Sequence, residues 1–193
     1  RILHGTSADR QTMLFSATLD EDVAGLTKDY QQSPVYYQIG QKSPDVTLAT
    51  HVFWNVMREN RVSVTAKAID SAWPSIVFCR TRRGSDRLAK KLSKLGLGVA
   101  AIHGGRSQNQ RMRALSEFSE RKVQALIASD VAARGIHIQD VASVIHFDPP
   151  EDHKAYVHRS GRTARAGKGG VVLSLVQPDQ IDMLRRIQRK VGL

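Results

Sequence analysis

Hydrophobic positions along residues 75–176 follow two spacings in turn. Apolar runs of strand length appear as "SIVFC" (75–79), "GVAAIH" (98–103), "QALIAS" (124–129), "VASVIHF" (141–147) and "GVVLSLV" (170–176). Each run is short and nearly continuous. Between them, residues 85–96 repeat Leu88, Leu92 and Leu95 and stop at Gly96, while residues 108–118 repeat Met112, Leu115 and Phe118. Spacings of three and four predict amphipathic helices. Strands that are apolar throughout are strands covered on both faces. Alternated with helices, they predict an α/β fold: a parallel sheet with helices on both faces, wound by right-handed crossovers. In such sheets ligands gather at the carboxyl ends of the strands.

The chemistry-bearing residues fall at those ends. "SIVFC" is followed by Arg80-Thr81-Arg82-Arg83, "GVAAIH" by Gly104-Gly105-Arg106-Ser107-Gln108, and "QALIAS" by Asp130-Val131-Ala132-Ala133-Arg134-Gly135. Taken singly, Gly104-Gly105 is a turn, Ser107 an N-cap and Arg80 a solvated surface residue. Taken together, bared backbone N–H groups, hydroxyls and guanidinium forks suit a sugar–phosphate strand. A second basic cluster, "HRSGRTARAGKGG" (158–170), holds four cations among small residues.

Composition narrows the partner. The 193 residues are 41% hydrophobic with a net charge of +11 and a pI near 10.2, a chain with material for one core. The charge is uneven: residues 1–47 carry four Lys/Arg against six Asp/Glu, residues 48–193 carry 25 against 12. A polyanion is the expected partner, nucleic acid before membrane, because the cations are not gathered beside the apolar face of one helix. No apolar run is long enough to span a bilayer and the first residues lack the apolar centre of a secretory signal. Aromatics are 6% of the chain and scarce near these loops, so backbone gripping without sequence readout is expected. The single cysteine, Cys79, has no disulfide partner and suits a reducing, cytoplasmic setting. The spacing of His146, His153 and His158 matches no known metal site, and no metal is expected on this chain.

"IVFCRTRRGSDRLAKKL", "AIHGGRSQNQRMRALSEF", "ALIASDVAARGIHI" and "YVHRSGRTARAGKGG" resemble, in order and spacing, motif IV, the QxxR element (Gln108, Arg111), motif V and motif VI of the DEAD-box RNA helicases. "MLFSATL" (13–19) resembles the end of motif III. The wording is closest to bacterial RhlE-like members. The resemblance implies a RecA-like lobe that closes with another RecA-like lobe over ATP and Mg²⁺. It implies that Arg162 and Arg165 are arginine fingers, neutralising charge on the transferring phosphoryl group. His158 and Arg159 would brace the turn and its contacts with the opposite lobe. Arg80, Thr81, Gly104, Gln108, Arg111 and Ser129 would face RNA phosphate and ribose. Asp130, Arg134 and Gly135 would tie that surface to the ATP cleft, and Ser16 and Thr18 would couple ATP state to RNA binding. After "RGI" the family usually places Asp against the ATP ribose. Here the residue is His137, which is not a dependable acceptor.

Neither GxxxxGK[ST] nor Asp-Glu-Ala-Asp occurs in the chain, so the resemblance implies a piece of a longer enzyme. The implied layout is residues 1–39 as the end of the first lobe, 40–47 as an interlobe linker and 48–193 as the second lobe. Within the first part, "QTMLFSATL" reads as a strand, "DEDVAGLTKDYQQ" as a helix with Asp20 as its N-cap, and Val23, Leu26 and Tyr30 as that helix's apolar face. Separated from their lobe, residues 12–39 would favour self-association. The chain alone is expected to bind no cofactor and hydrolyse no ATP. The alternatives are a helicase lobe that acts on DNA and a stand-alone basic RNA-binding module; His158-Arg159 argues against the first and intact Arg162 and Arg165 against the second.

Overall fold

The computed structural model describes residues 5–7, 9–16, 21–37, 48–130, 138, 141–164 and 169–193. The chain divides into two compact units, residues 1–44 and 45–193.

In the larger unit six strands form one sheet: β1 (Thr50–Asn55), β2 (Ser75–Cys79), β3 (Val99–Ile102), β4 (Ala125–Ser129), β5 (Ser143–His146) and β6 (Val171–Val176). Their order is β1-β6-β5-β2-β4-β3 and every pairing is parallel. Ser75 of β2 lies opposite Ala125 of β4 and Ser143 of β5, so β2 runs through the centre. The predicted parallel α/β architecture is observed.

Side chains two apart along a strand share a face, and both faces are filled. Ile76, Phe78, Leu126, Ala128, Val144 and Val172 face one layer. That layer comprises α4 (Gln108–Ser119), α5 (His153–Ser160) and α6 (Ile181–Val191), which contribute Phe118, Tyr156, Leu184 and Ile187. Val77, Cys79, Ile127, Ile145, Leu173 and Leu175 face the other, where α2 (Arg61–Ser71) and α3 (Arg82–Lys94) bring Ile69, Leu88 and Leu92. This double covering is why the central strands read as unbroken apolar runs.

The helices begin where their sequence supplies caps. Thr81 Oγ1 accepts from Gly84 N–H at 3.0 Å, and Asp152 Oδ1 accepts from Ala155 N–H at 2.7 Å. Ser107 and Gln110 form a reciprocal capping box at the start of α4, so the cap expected of Ser107 is present. After α3 the chain turns at Gly96, whose φ of +88° lies in the left-handed region that glycine enters without a steric penalty.

The smaller unit contains α1 (Glu21–Tyr30). Gln31 Nε2 donates to Thr12 O at 3.0 Å, fastening the preceding segment to the end of that helix. Residues 11–16 form no strand, contrary to the strand expected of "QTMLFSATL". A strand requires a hydrogen-bonding neighbour, and the described residues of this unit supply none. Phe15 is 85% exposed and Tyr37 87%, with Leu26 also exposed rather than covered as a helix's apolar face would be. Thr18, Asp20 and the expected linker at 40–47 lie outside the described residues.

Candidate nucleic-acid and nucleotide interface

The carboxyl ends of β2, β3, β4 and β5 form one rim, and four of the loops leaving it carry charged or amide side chains. At the end of β2, Arg80 and Thr81 are exposed. The Thr81 hydroxyl accepts the capping bond from Gly84, which leaves its own O–H to donate outward. A Cβ placed on Gly84 would stand 2.9 Å from Thr81 Oγ1, so the cap needs glycine there.

At the end of β3 a small network shapes the glycine turn. His103 Nδ1 accepts from Gly105 N–H at 3.2 Å, so its Nε2 carries the proton and donates to Asp86 Oδ1 at 3.0 Å. Arg106 Nη2 donates to the same oxygen at 2.5 Å. Burial raises the Asp86 carboxyl, but the His103 hydrogen bond and the charge and hydrogen bond of the Arg106 guanidinium outweigh it and hold the group below its ordinary value. A Cβ on Gly104 would lie 3.6 Å from the Arg82 guanidinium, which places the motif IV arginine beside the second glycine loop. Gln108 opens α4 and is exposed; Arg111, one turn on, is half-buried, with an Nε that has no hydrogen-bond partner among the described residues. Gly104 is exposed and Ser129, the last residue of β4, is buried. The loops after β2 and β3, on either side of β4, thus bring Arg80, Thr81, Arg82, Gly104 and Gln108 to one side of the rim.

Asp130 and Asp148 stand at the ends of β4 and β5, and both are held by arginine. Arg159, 3% exposed, donates from Nε to Asp130 Oδ1 at 2.6 Å and from Nη2 to Asp130 Oδ2 at 2.7 Å. Its Nη1 donates to Asp148 O at 2.8 Å, and its guanidinium lies 5.1 Å from the Phe78 ring centre. Every face of this cation is engaged, by a bidentate carboxylate, a carbonyl and an aromatic ring. Arg61, the first residue of α2, donates to Asp148 Oδ1 at 2.7 Å and to Phe147 O, and sits 4.0 Å above the Phe147 ring.

α5 is anchored beneath the rim by Tyr156, fully buried, whose hydroxyl is 2.6 Å from His51 Nδ1. Its ring stacks on Phe53 at 6.0 Å and meets His146 edge-on at 5.1 Å. Burial pushes the Tyr156 hydroxyl's pKa upward. His146 Nδ1 is 3.0 Å from Ser174 Oγ; burial, then the Arg159 and His51 charges, holds its pKa well below the ordinary histidine value, so the ring is neutral.

His158, in the last turn of α5, is half-buried, and past the helix Gly161 is buried and Arg162 half-buried, each with polar or electrostatic contacts. The Arg162 side chain lines a cavity of about 10 Å³ with Ile76, Phe78, Ile102, Leu126, Ala128 and Ile138. Thr163 Oγ1 donates to Val141 O at 2.5 Å, and Ala164 follows with φ +54°. A Cβ on Gly170 would lie 2.2 Å from Thr163 Oγ1, so Thr163 and Ala164 leave room only for glycine at position 170. Arg134, Gly135, His137 and Arg165 lie outside the described residues, as does Thr18; Ser16 belongs to the smaller unit. Asp148, Arg61, Asp86 and Tyr156 were not expected from the sequence. Asp148 had a signal, since it follows a strand end as Asp130 does; Arg61 had none.

The described residues thus form a parallel sheet whose strand-end loops carry exposed basic and amide side chains. The helicase conserved C-terminal domain model matches residues 60–167, and the chain belongs to that family. Its relatives include the ATP-dependent RNA helicase CshA of Listeria monocytogenes, 38% identical over 97% of this chain and 36% of that protein. Among solved structures, the DEAD box protein of Methanococcus jannaschii is 32% identical, with a TM-score of 0.72 over 100% of this chain and 52% of the other. Saccharomyces cerevisiae Dbp5 bound to RNA and ADP BeF3 is 27% identical, with a TM-score of 0.83 over 99% of this chain and 51% of the other. The chain spans 36% to 41% of the length of the curated relatives it matches.

Proposed function

We propose that the chain is the second lobe of an ATP-dependent RNA helicase: it grips RNA backbone and presents arginines to ATP and Mg²⁺ held by a first lobe. The observation that carries this reading is the juxtaposition at the rim. The loops after β2 and β3 offer Arg80, Thr81, Arg82, the Gly104-Gly105 backbone and Gln108, all donors suited to phosphate and ribose. Beside them the Arg159–Asp130 pair fixes α5, and Arg162 follows two residues past its end.

The donor set suits a triphosphate's oxygens and not its metal. The carboxylates at the ends of β4 and β5, Asp130 and Asp148, are both bonded to arginine, so guanidinium is what this side of a cleft supplies. ATP would bring the phosphoryl group to be transferred, and Arg162 and Arg165 would stabilise charge developing on it. Lysine could not replace either, lacking the planar fork. We assign residues 1–39 to the end of the first lobe and 40–47 to the linker, which gives the exposed Met13, Phe15, Tyr36 and Tyr37 a natural cover in that lobe or in a second copy. A cytoplasmic setting suits the single buried thiol.

The test is made in the full-length parent. Arg162→Lys should lower RNA-stimulated ATP turnover by roughly 10³-fold or more while changing RNA affinity little, as arginine fingers do. Equal losses in turnover and affinity would make Arg162 an RNA ligand instead, and stimulation by DNA as strong as by RNA would favour the DNA-acting reading.

A further inference from the structure

Asp148 lies outside the motif stretches quoted from the sequence, yet it joins three segments of the rim. Its Oδ2 accepts from Arg80 N–H at 2.9 Å, in the loop after β2. Its Oδ1 accepts from Arg61 Nη2 at 2.7 Å, at the start of α2. Its carbonyl accepts from Arg159 Nη1 at 2.8 Å, on α5, and its own N–H donates to Phe78 O at 3.1 Å. The Arg61 and Asp148 side chains are 11% and 24% exposed, so this ion pair is largely removed from water.

Such a pair is poor value as a stabiliser, because withdrawing two charges from water offsets most of their attraction and a hydrophobic pair would hold the fold as well. What an apolar pair could not do is accept the Arg80 N–H. That bond fixes the peptide leading into Thr81, and Thr81 in turn caps α3, whose first residue, Arg82, stands beside Gly104. The direction in which Arg80 and Thr81 face is therefore set by a carboxylate on a different strand. The same residue, through its carbonyl, holds the guanidinium that fixes α5.

We propose that Asp148 is a positioning residue: its carboxylate holds the Arg80–Thr81 loop in the orientation that receives RNA phosphate, and its main chain locks that loop to the helix leading into Arg162. This rests on the reading of the rim as an RNA surface. Arg61 neutralises the carboxylate and does not itself orient the loop.

The deciding measurement uses the full-length parent carrying Arg61→Met, which removes the buried cation so that neutral replacements at 148 leave no orphaned guanidinium. In that background Asp148 is compared with Asp148→Asn, which keeps an acceptor for the Arg80 N–H, and with Asp148→Ala, which does not. Affinity for single-stranded RNA and the RNA concentration for half-maximal ATPase stimulation are read alongside thermal midpoints. The alanine variant should weaken RNA about five- to tenfold, the loss expected of one oriented hydrogen bond. Turnover at saturating RNA should stay within about twofold, and asparagine should restore the affinity. If alanine does not fold, Asp148→Ser, whose hydroxyl is too short to reach the Arg80 N–H, takes its place with the same expectation. Equal RNA affinity for aspartate, asparagine and the variant lacking the acceptor overturns the proposal, as does asparagine behaving like alanine. A parent that binds no RNA with aspartate in place overturns this proposal together with the RNA reading of the rim, whereas RNA binding indifferent to residue 148 removes only the role of Asp148.

Discussion

α5 and α6 lie on the same face of the sheet and both are basic, yet their cations do opposite things. In α5, Arg159 is buried and bonded on every side, and its neighbour Tyr156 is packed between Phe53 and His146. In α6, Leu184 and Ile187 face the core while Arg185, Arg186, Arg189 and Lys190 line the outer surface. There Arg185, 70% exposed, reaches Asp182 only at 3.6 Å. The charge of α5 is committed to geometry; that of α6 is left to solvent and to whatever polyanion approaches. A count of lysines and arginines treats the two helices alike. Burial and pairing separate them, because a desolvated guanidinium is held only where carboxylates and carbonyls are arranged to receive it.

The contrast can be broken most directly by removing one cation from each helix. Arg159→Ala should lower unfolding free energy by about 3 kcal/mol, since it strands Asp130 and the Asp148 carbonyl. Arg186→Ala should stay within about 0.5 kcal/mol. Denaturant titrations showing similar losses for the two would erase the distinction. A smaller and pH-dependent effect sharpens the picture of the α5 anchor. His146 is buried neutral with its pKa depressed, so below an unfolded pKa of about 6.5 the unfolded chain binds a proton that the folded chain refuses. Stability should then fall with decreasing pH below that point, by up to about 1.4 kcal/mol per pH unit for this group, and be unaffected above it. The slope should shrink in His146→Gln; an unchanged slope would show that other groups carry it. The smallest expected effect lies just past α5, where Ala164 holds φ +54°. Ala164→Gly should stabilise the chain by about 1 kcal/mol by relieving the left-handed penalty, and a thermal midpoint lower than wild type would refute this.

The two helices also mark where sequence reading succeeds. The apolar runs of β2 to β6 were legible because strands covered by helices carry nearly continuous apolar residues. β1 was not, since Val52, Phe53 and Trp54 are its only apolar residues and stand among Thr50, His51 and Asn55, with Val52 and Trp54 exposed. α5 has only eight residues, too few for a period to emerge, and is held by tertiary bonds rather than by its own pattern. "TMLFSA" had the apolar content of a strand but no neighbour to pair with. At the rim, Arg80, Gly104, Gln108 and Asp130 were legible because chemistry at strand ends is local in sequence. The bond between Arg61 and Asp148 was not, because its partners are 87 residues apart and neither stands in a recognisable motif. The direction of Arg162 likewise depends on how a turn is packed.

One further property follows from Cys79. It is the only thiol in the chain, it closes the central strand, and burial followed by the nearby Asp148 charge pushes its pKa up to about 12. A thiolate is the reactive species, so a maleimide or disulfide reagent meets almost none of it while β2 is paired. Modification therefore waits on the opening of the sheet at its middle, and its rate measures how often that opening occurs. The lobe carries its own clock for the breathing of the strand that leads into Arg80.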